Sequence, residues 1–274
     1  MITGLGGTFP SINGYRWSAI GGTTTIPGIG DVQGASSNGA VVVGRTTDAD
    51  TQARRWSLAT GTQGFGTLSG TPLGLGTTAS ANAANADGSI ITGSARVTIS
   101  VTPPVPQVIL SPFIWDAVNG ARTMPLASGS LLEGTSHDIT PDGSIIVGFA
   151  NSPQGSIFRW TQVGGYQFIQ PLILPGSSGT PRTSADGNAI IAGLNYWSPS
   201  TGVITIQQLL TQSGCDFTGW TLTGAVGISD DGRTIAGNGT SPTGQTQAWI
   251  ATVPTPAAAP LLALAAFVRR RRRS

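Results

Sequence analysis

The sequence predicts an all-β chain, a β-propeller-like array of about six four-stranded repeats with the first incomplete, followed by a short C-terminal hydrophobic helix. Three observations carry this. A Ser or Thr, an Asp-Gly or Asn-Gly, an aliphatic pair and a closing Gly recur five times, as SSNGAVVVG (36–44), ANADGSIITG (84–93), TPDGSIIVG (140–148), SADGNAIIAG (184–193) and SDDGRTIAG (229–237). A second element is a Trp followed, usually within a few residues, by a Gly-containing turn; it recurs at Trp17, Trp56, Trp115, Trp160, Trp197 and Trp249. Successive Trp residues lie on average about 46 residues apart. A β-solenoid or a β-sandwich pair is the alternative, although a solenoid would use shorter and stricter repeats.

Asp-Gly and Asn-Gly between apolar stretches predict hairpins, because these residues tolerate the positive φ that tight turns require. The Trp element, as in RWSLATGTQGF, IWDAVNGARTM and RWTQVGGYQFI, predicts a second hairpin. Turn Gly to Trp is seventeen residues in three copies, Gly39 to Trp56, Gly143 to Trp160 and Gly232 to Trp249. Two hairpins give four strands, the size of a propeller blade, and leave no room for helices. The units fall near 1–33, 34–78, 79–134, 135–178, 179–221 and 222–252. Met1-Ile2-Thr3-Gly4 matches Ile90-Ile91-Thr92-Gly93, so the chain enters mid-repeat, and the reading expects an upstream start with a signal peptide and the rest of the first unit.

Composition narrows the function. All basic residues are Arg, and removing the five terminal ones leaves nine against twelve acids, a body charge of −3. Nucleic acid is therefore not an expected partner, since phosphate binding needs clustered cations. The single Cys215 allows no intrachain disulfide, and one His with one Cys cannot supply a zinc site of the usual N and S ligands. No cofactor or metal is expected.

Residues 253–274 form a separate segment. Pro254, Thr255 and Pro256 precede an apolar run, 257–268, that includes Leu261, Leu262, Leu264 and Phe267, and then Arg269, Arg270, Arg271, Arg272 and Arg273. As a helix the twelve-residue run reaches only about 18 Å, short of a bilayer core of roughly 30 Å. The Arg block would stay cytoplasmic, placing the body on the far side of the membrane. This Pro motif, hydrophobic stretch and Arg end resemble the PEP-CTERM family of bacterial sorting signals, with Thr255 in place of the usual Glu. The resemblance implies processing by an exosortase-like enzyme, transient membrane association and delivery to the cell surface or extracellular matrix.

The repeats of residues 1–252 are similar to the HAF-type extracellular repeat family, and the Asp-Gly element also resembles TolB-like and WD40-like propellers. The usual His-Ala-Phe before the Trp is replaced here by Ala53-Arg54-Arg55, Pro112-Phe113-Ile114 or Ile157-Phe158-Arg159.

Chemistry-bearing residues are sparse. Asp87, Asp142, Asp186 and Asp231 hold one position in successive repeats, which predicts that each carboxylate bonds its own turn. A ring of these acids binding cations is the functional alternative. The Trp series predicts inter-blade core, with Trp220 out of register and free to be exposed. Asp48-Ala49-Asp50 is a fragment of a calcium loop without its Gly and distal Glu. His137 stands between Ser136 and Asp138, and adjacent strand residues alternate faces, so these three form no triad. The expected function is that of an exported surface- or matrix-directed repeat protein with a binding or structural role and no enzyme chemistry, polysaccharide or another surface protein being the candidate ligands. The alternative is an extracellular polysaccharide hydrolase or lyase on the same scaffold.

Overall fold

The Asp-Gly and Asn-Gly turns are hairpins in the computed structural model, which describes residues 2–6, 13–47, 51–66, 68, 75–100, 107–151, 156–169 and 179–253. The sorting motif, the apolar run, the Arg tail, Met1 and Asp48–Asp50 lie outside the described residues. Among the described residues no helix is long and apolar enough to cross a membrane.

Among the described residues six antiparallel sheets follow one another along the chain. The first holds β1 (Ile2–Gly6), β2 (Asn13–Ser18) and β3 (Gly22–Ile26), and the second β4 (Asp31–Ala35), β5 (Val41–Arg45), β6 (Ala53–Ser57) and β7 (Gly61–Gly64). The third holds β8 (Leu75–Ala84), β9 (Ile90–Ser100), β10 (Gln107–Asp116) and β11 (Gly120–Thr123). The fourth holds β12 (Gly134–Ile139), β13 (Ile145–Ala150), β14 (Ser156–Thr161) and β15 (Gly165–Ile169). The fifth holds β16 (Arg182–Thr183), β17 (Ile190–Ala192), β18 (Asn195–Ser198) and β19 (Gly202–Thr205), and the sixth β20 (Thr221–Ile228), β21 (Thr234–Thr240) and β22 (Thr246–Thr252).

The expectation of no helix is corrected by α1 (Ile206–Gln212) between the last two sheets. Thr205 and Gln208 form a capping box at its start, and Ile206, Leu209 and Leu210 are buried, so local capping plus an apolar stripe override the strand pattern.

Blades two to five each pack their Trp onto the blade before them. Trp56 joins Ile26 and Ile29, Trp115 joins Val41 and Val43, Trp160 joins Ile114 and Met124, and Trp197 joins Ile145 and Val147. These four are 5–9% exposed, whereas Trp17, with no preceding blade among the described residues, is 41% exposed. Trp56, Trp115, Trp160 and Trp197 thus stand in the cores between blades.

Trp249 departs from the series. Four Trp residues lie opposite the aliphatic residue two before the closing Gly of the repeat, as Trp160 lies opposite Ile146, and Trp197 lies opposite Ile190, three before Gly193. Trp249 lies opposite the closing residue itself, Gly237, because the last hairpin pairs two residues later. It therefore takes the place of Phe158 opposite Gly148 and Phe113 opposite Gly93. Equal spacing in sequence concealed a different register.

The four Asp residues cap their own turns. Asp142 Oδ1 accepts from Ser144 N at 3.0 Å and Thr140 Oγ1 at 2.6 Å, and Asp186 does the same with Asn188 N and Ser184 Oγ. Asp231 accepts from Arg233 N and Ser229 Oγ, and Asp87 from Ser89 N. These bonds, led by the neighbouring hydroxyl groups, hold the carboxyls below the usual carboxylate range. Asn38 makes the same two bonds in the second blade without a charge. Asp142→Asn is therefore expected to change stability by only a few tenths of a kcal/mol and Asp142→Ala to lower it by about 1 kcal/mol, measured by urea unfolding. No group of three or more His, Cys, Asp or Glu that could hold a metal occurs among the described residues, so the acids do not gather into a cation ring.

Candidate functional site in the channel

The first strands of the second to sixth blades, β4, β8, β12, β16 and β20, line the centre, and four of these five are bulged. The register slips between Val32 and Gly34 in β4, between Ala81 and Ala83 in β8, and between Ser136 and Asp138 in β12. In β20 it slips between Leu222 and Gly224 and again between Ala225 and Gly227. A bulge places an extra residue on one strand and re-aims its side chain. The extra residues Gln33, Asn82 and His137 all line one cavity of about 270 Å³.

In the four bulged blades the closing Gly of the repeat, Gly44, Gly93, Gly148 or Gly237, faces the bulged strand. A side chain at Gly148 would meet the Thr135 carbonyl oxygen and the Phe158 ring, and one at Gly93 would meet the Ser80 carbonyl and the Phe113 ring. The bulged strand presses its backbone onto the second strand there, and only Gly leaves room. The repeat motif thus builds the channel lining from behind.

Around the bulge residues the cavity is polar. Arg45, Ser94 and Thr135 join them on its wall, with Leu110 of the long third blade as an apolar contact. Asn82 Nδ2 donates to Ser136 O at 2.7 Å across the blade boundary, and Asn82 Oδ1 accepts from Ser80 Oγ at 2.7 Å. Behind the wall, Ser136 Oγ donates to Gly93 O at 2.6 Å, and Ser136 N donates to Ser94 Oγ at 3.2 Å. Arg45 Nε donates to Asp31 Oδ2 at 2.7 Å, which fixes the direction of its guanidinium.

His137 is the titratable group of the site. Its Nε2 lies 2.7 Å from Thr135 Oγ1, and its ring stands edge-on to Phe149 with centroids 6.0 Å apart. Burial, with the Arg182 charge second, pushes its pKa down to about 4, so the imidazole is neutral at pH 7. Arg182 Nη1 donates to His137 O at 3.2 Å. Asp138 Oδ2 accepts from Thr183 N at 3.0 Å, and burial pushes this carboxyl up while Arg182 pulls it down. His137, Asp138 and Arg182 thus clasp the fourth blade to the fifth. Ser136 faces inward and His137 faces the cavity, so these neighbours form no triad, as the sequence indicates.

A depressed folded-state pKa gives stability that is present above the unfolded pKa and is lost as pH falls through the folded one. His137 therefore predicts a stability loss between about pH 6.5 and about pH 4, reaching at most about 3 kcal/mol. Asp138, shifted upward, acts in the opposite sense and reduces the net loss. Urea unfolding at pH 7 and pH 4.5 should show the drop in the parent and less than half of it in His137→Asn.

The sequence singled out His137 but not Gln33, Asn82, Arg45 or Arg182. A signal was present: Gln33, Asn82 and His137 each stand six residues before the turn Gly of their repeat, at Gly39, Gly88 and Gly143. The same offset gives Pro181 and Val226 in the fifth and sixth repeats, so the polar lining is confined to one side of the channel.

This fold and cavity define a β-propeller with a channel site. No family model matches the chain. No curated protein matches it. Among solved structures it is similar to the tricorn protease, with a TM-score of 0.52 and 10% identity over 91% of this chain and 29% of that one. A prolyl endopeptidase aligns with a TM-score of 0.44 and 13% identity over 89% of this chain and 39% of that one. An oligogalacturonate lyase from Vibrio parahaemolyticus aligns with a TM-score of 0.38 and 10% identity over 89% of this chain and 84% of that one. The chain thus spans less than half of the first two proteins, and the likeness shows the fold.

The expectation of a protein without enzyme chemistry is corrected here, because the fold it shares with the tricorn protease is one on which enzymes are built. Its basis was the lack of a linear catalytic motif. A propeller assembles its sites from several blades, and Gln33, Asn82 and His137 come from three repeats that no short motif could connect.

Proposed function

We propose that the protein is an exported, surface-directed propeller that engages extracellular polysaccharide in the channel cavity. The observation that carries this is the convergence of three bulge residues, Gln33, Asn82 and His137, with Arg45 on one cavity. Amides, hydroxyls, a neutral imidazole and one guanidinium match a hydroxyl-rich ligand, and Leu110 offers an apolar surface to a sugar face. Titration calorimetry against neutral and acidic oligosaccharides tests this. Gln33→Ala and Arg45→Gln are each expected to weaken binding about fivefold, one hydrogen bond's worth, and the double variant more than tenfold. Equal binding by the double variant and the parent would remove the cavity from consideration.

The C-terminal segment supports the proposed destination through its resemblance to a sorting signal read by an exosortase-like enzyme. Mass spectrometry of the mature protein from membrane, surface and medium fractions checks it. Loss of the residues after Pro256 is expected, whereas an intact Arg tail in the inner membrane would oppose surface delivery.

A second reading, cleavage of the bound polymer, is favoured by the state of His137. A neutral imidazole that shares the cavity with the Arg45 guanidinium can take the proton beside the carboxyl of a uronic acid while the cation stabilises the enolate; the C=C then forms as the glycosidic C–O bond breaks and the departing oxygen takes a proton from solvent. No carboxylate lines this cavity among the described residues, so the lining gives no support to a carboxylate-pair hydrolase. Incubation with acidic polysaccharides should then yield products with a new C=C absorbance, lost in His137→Ala.

A further inference from the structure

The third blade outruns its neighbours at the end that bears the channel cavity. Gly93 corresponds to Gly148, yet β13 stops at Ala150 while β9 continues past the equivalent Ala95 to Ser100. β10 begins at Gln107, eight residues before Trp115, whereas β14 begins four before Trp160 and β6 three before Trp56. Leu110, the first residue of β10 beyond the reach of β14, lines the cavity. The added length of β9, 96–100, spans about 17 Å at roughly 3.4 Å per residue, room for a few linked sugar rings.

One face of this extension continues the cavity wall. Side chains two apart on a strand share a face, and so do those directly paired across strands. Ser94 and Leu110 both line the cavity, and Arg96 stands two residues beyond Ser94 and directly opposite Leu110. Thr98 and Val108 form the next pair on the same face. Leu110 is 38% and Val108 42% exposed, and Arg96 is exposed as well. The opposite face is given to packing, with Ala95 and Val97 in the core that also holds Val41 and Val43 of the second blade, and with Ile109 buried.

The strip is cationic although the body of the chain is acidic. Arg96 has no ion-pair partner among the described residues. Arg45 is held by Asp31 through Nε, which leaves its Nη atoms to donate elsewhere. Acids at this end are already engaged, since Glu133 Oε1 accepts from Asn151 Nδ2 at 2.8 Å and Asp138 Oδ2 from Thr183 N at 3.0 Å. Asp87, the turn acid of this blade, lies before β9, at the far end of that strand. Arg45 inside the cavity and Arg96 just beyond it thus mark one path, with Leu110 and Val108 beside it.

We propose that this face of β9 and β10 is a further subsite for an acidic polysaccharide, taking the sugar units that leave the channel cavity, with Arg96 on a carboxylate and Val108 under a sugar ring. The proposal rests on the reading that the cavity binds polysaccharide, and it adds the class of polymer and the direction in which the polymer runs. A guanidinium donates charge-assisted bonds to a carboxylate in a fixed geometry, and an aliphatic side chain matches the C–H face of a sugar. A ligand of two units would fill the cavity alone, and a longer one would reach the strip.

Titration calorimetry of the full chain with oligomers of galacturonic, mannuronic and glucuronic acid, of two and six units, tests this. At least one six-unit oligomer is expected to bind about tenfold tighter than its two-unit form. Arg96→Gln combined with Val108→Ser should bring the six-unit affinity to within about twofold of the two-unit one, while two-unit binding and thermal melting stay at parental values. Carboxyl-reduced six-unit oligomers should lose most of the gain. Equal affinity for the two lengths, or a length gain that survives in the double variant, would overturn the subsite. A gain kept by the carboxyl-reduced oligomers would overturn the acidic polymer as its occupant. A free chain that is a dimer and dissociates in the double variant would also overturn it, by showing that a second copy covers the strip. The cavity is tested separately by Gln33→Ala with Arg45→Gln: loss of two-unit binding there upholds the cavity whatever the strip does, and parental two-unit binding, or no binding of any oligomer, removes the cavity and the strip together.

Discussion

Gly148→Ala is expected to lower stability by about 3 kcal/mol and to abolish ligand binding in the channel, although the residue touches no ligand. The added methyl would lie 2.5 Å from Phe158 Cζ and closer still to the Thr135 carbonyl oxygen. Phe158 is fully buried and cannot swing away, and a backbone oxygen cannot rotate out. The remaining relief is for β12 to lift from β13. That movement undoes the bulge at Ser136 and Asp138 that carries His137 into the cavity, and it strains the Asn82 bond to Ser136 O. Gly224→Ala serves as the control, since its side chain would meet nothing within 4 Å. It should stay within about 0.5 kcal/mol of the parent. Urea unfolding with calorimetric titration on both variants separates the cases. A Gly148→Ala protein with parental stability and affinity would break the link between the repeat's closing Gly and the channel lining.

That link marks how far the sequence could be read. The hairpin turns were legible because Asp-Gly and Asn-Gly encode a local backbone preference, and the structure places Gly39, Gly88, Gly143, Gly187 and Gly232 at positive φ. The blade interfaces were legible because Trp recurs with the repeat. The bulges were not, because a bulge is a mismatch between two strands and leaves no mark on either alone. The closing Gly of the repeat is its only local trace, and a Gly in a strand has several meanings. Without the bulges Gln33 and Asn82 read as ordinary strand residues. The shifted register of Trp249, which still packs between the fifth and sixth blades, was hidden for a related reason: spacing counts residues along one chain, while register depends on the length of the turn between strands. The helix α1 escaped because its capping box, Thr205 with Gln208, closes only a seven-residue segment.

Trp160→Ala is expected to cost roughly 3–5 kcal/mol, and Trp17→Ala less than about 1 kcal/mol, although both hold the same position in their repeats. Trp160 is 6% exposed and packs with Ile114 and Met124 of the preceding blade, so truncation opens a cavity between two rigid sheets. Neither sheet can close the space without breaking its own ladder, and the full transfer and cavity terms are felt. Trp17 presents the same indole at the end of the array, where 41% of the residue already meets water and no blade is lost as a partner. The contrast would vanish if the first blade were covered by the sixth in solution, because Trp17 would then be an interior residue in all but position. Thermal unfolding of the two variants decides this. A loss at Trp17 as large as that at Trp160 would show that the first blade is covered as the interior blades are.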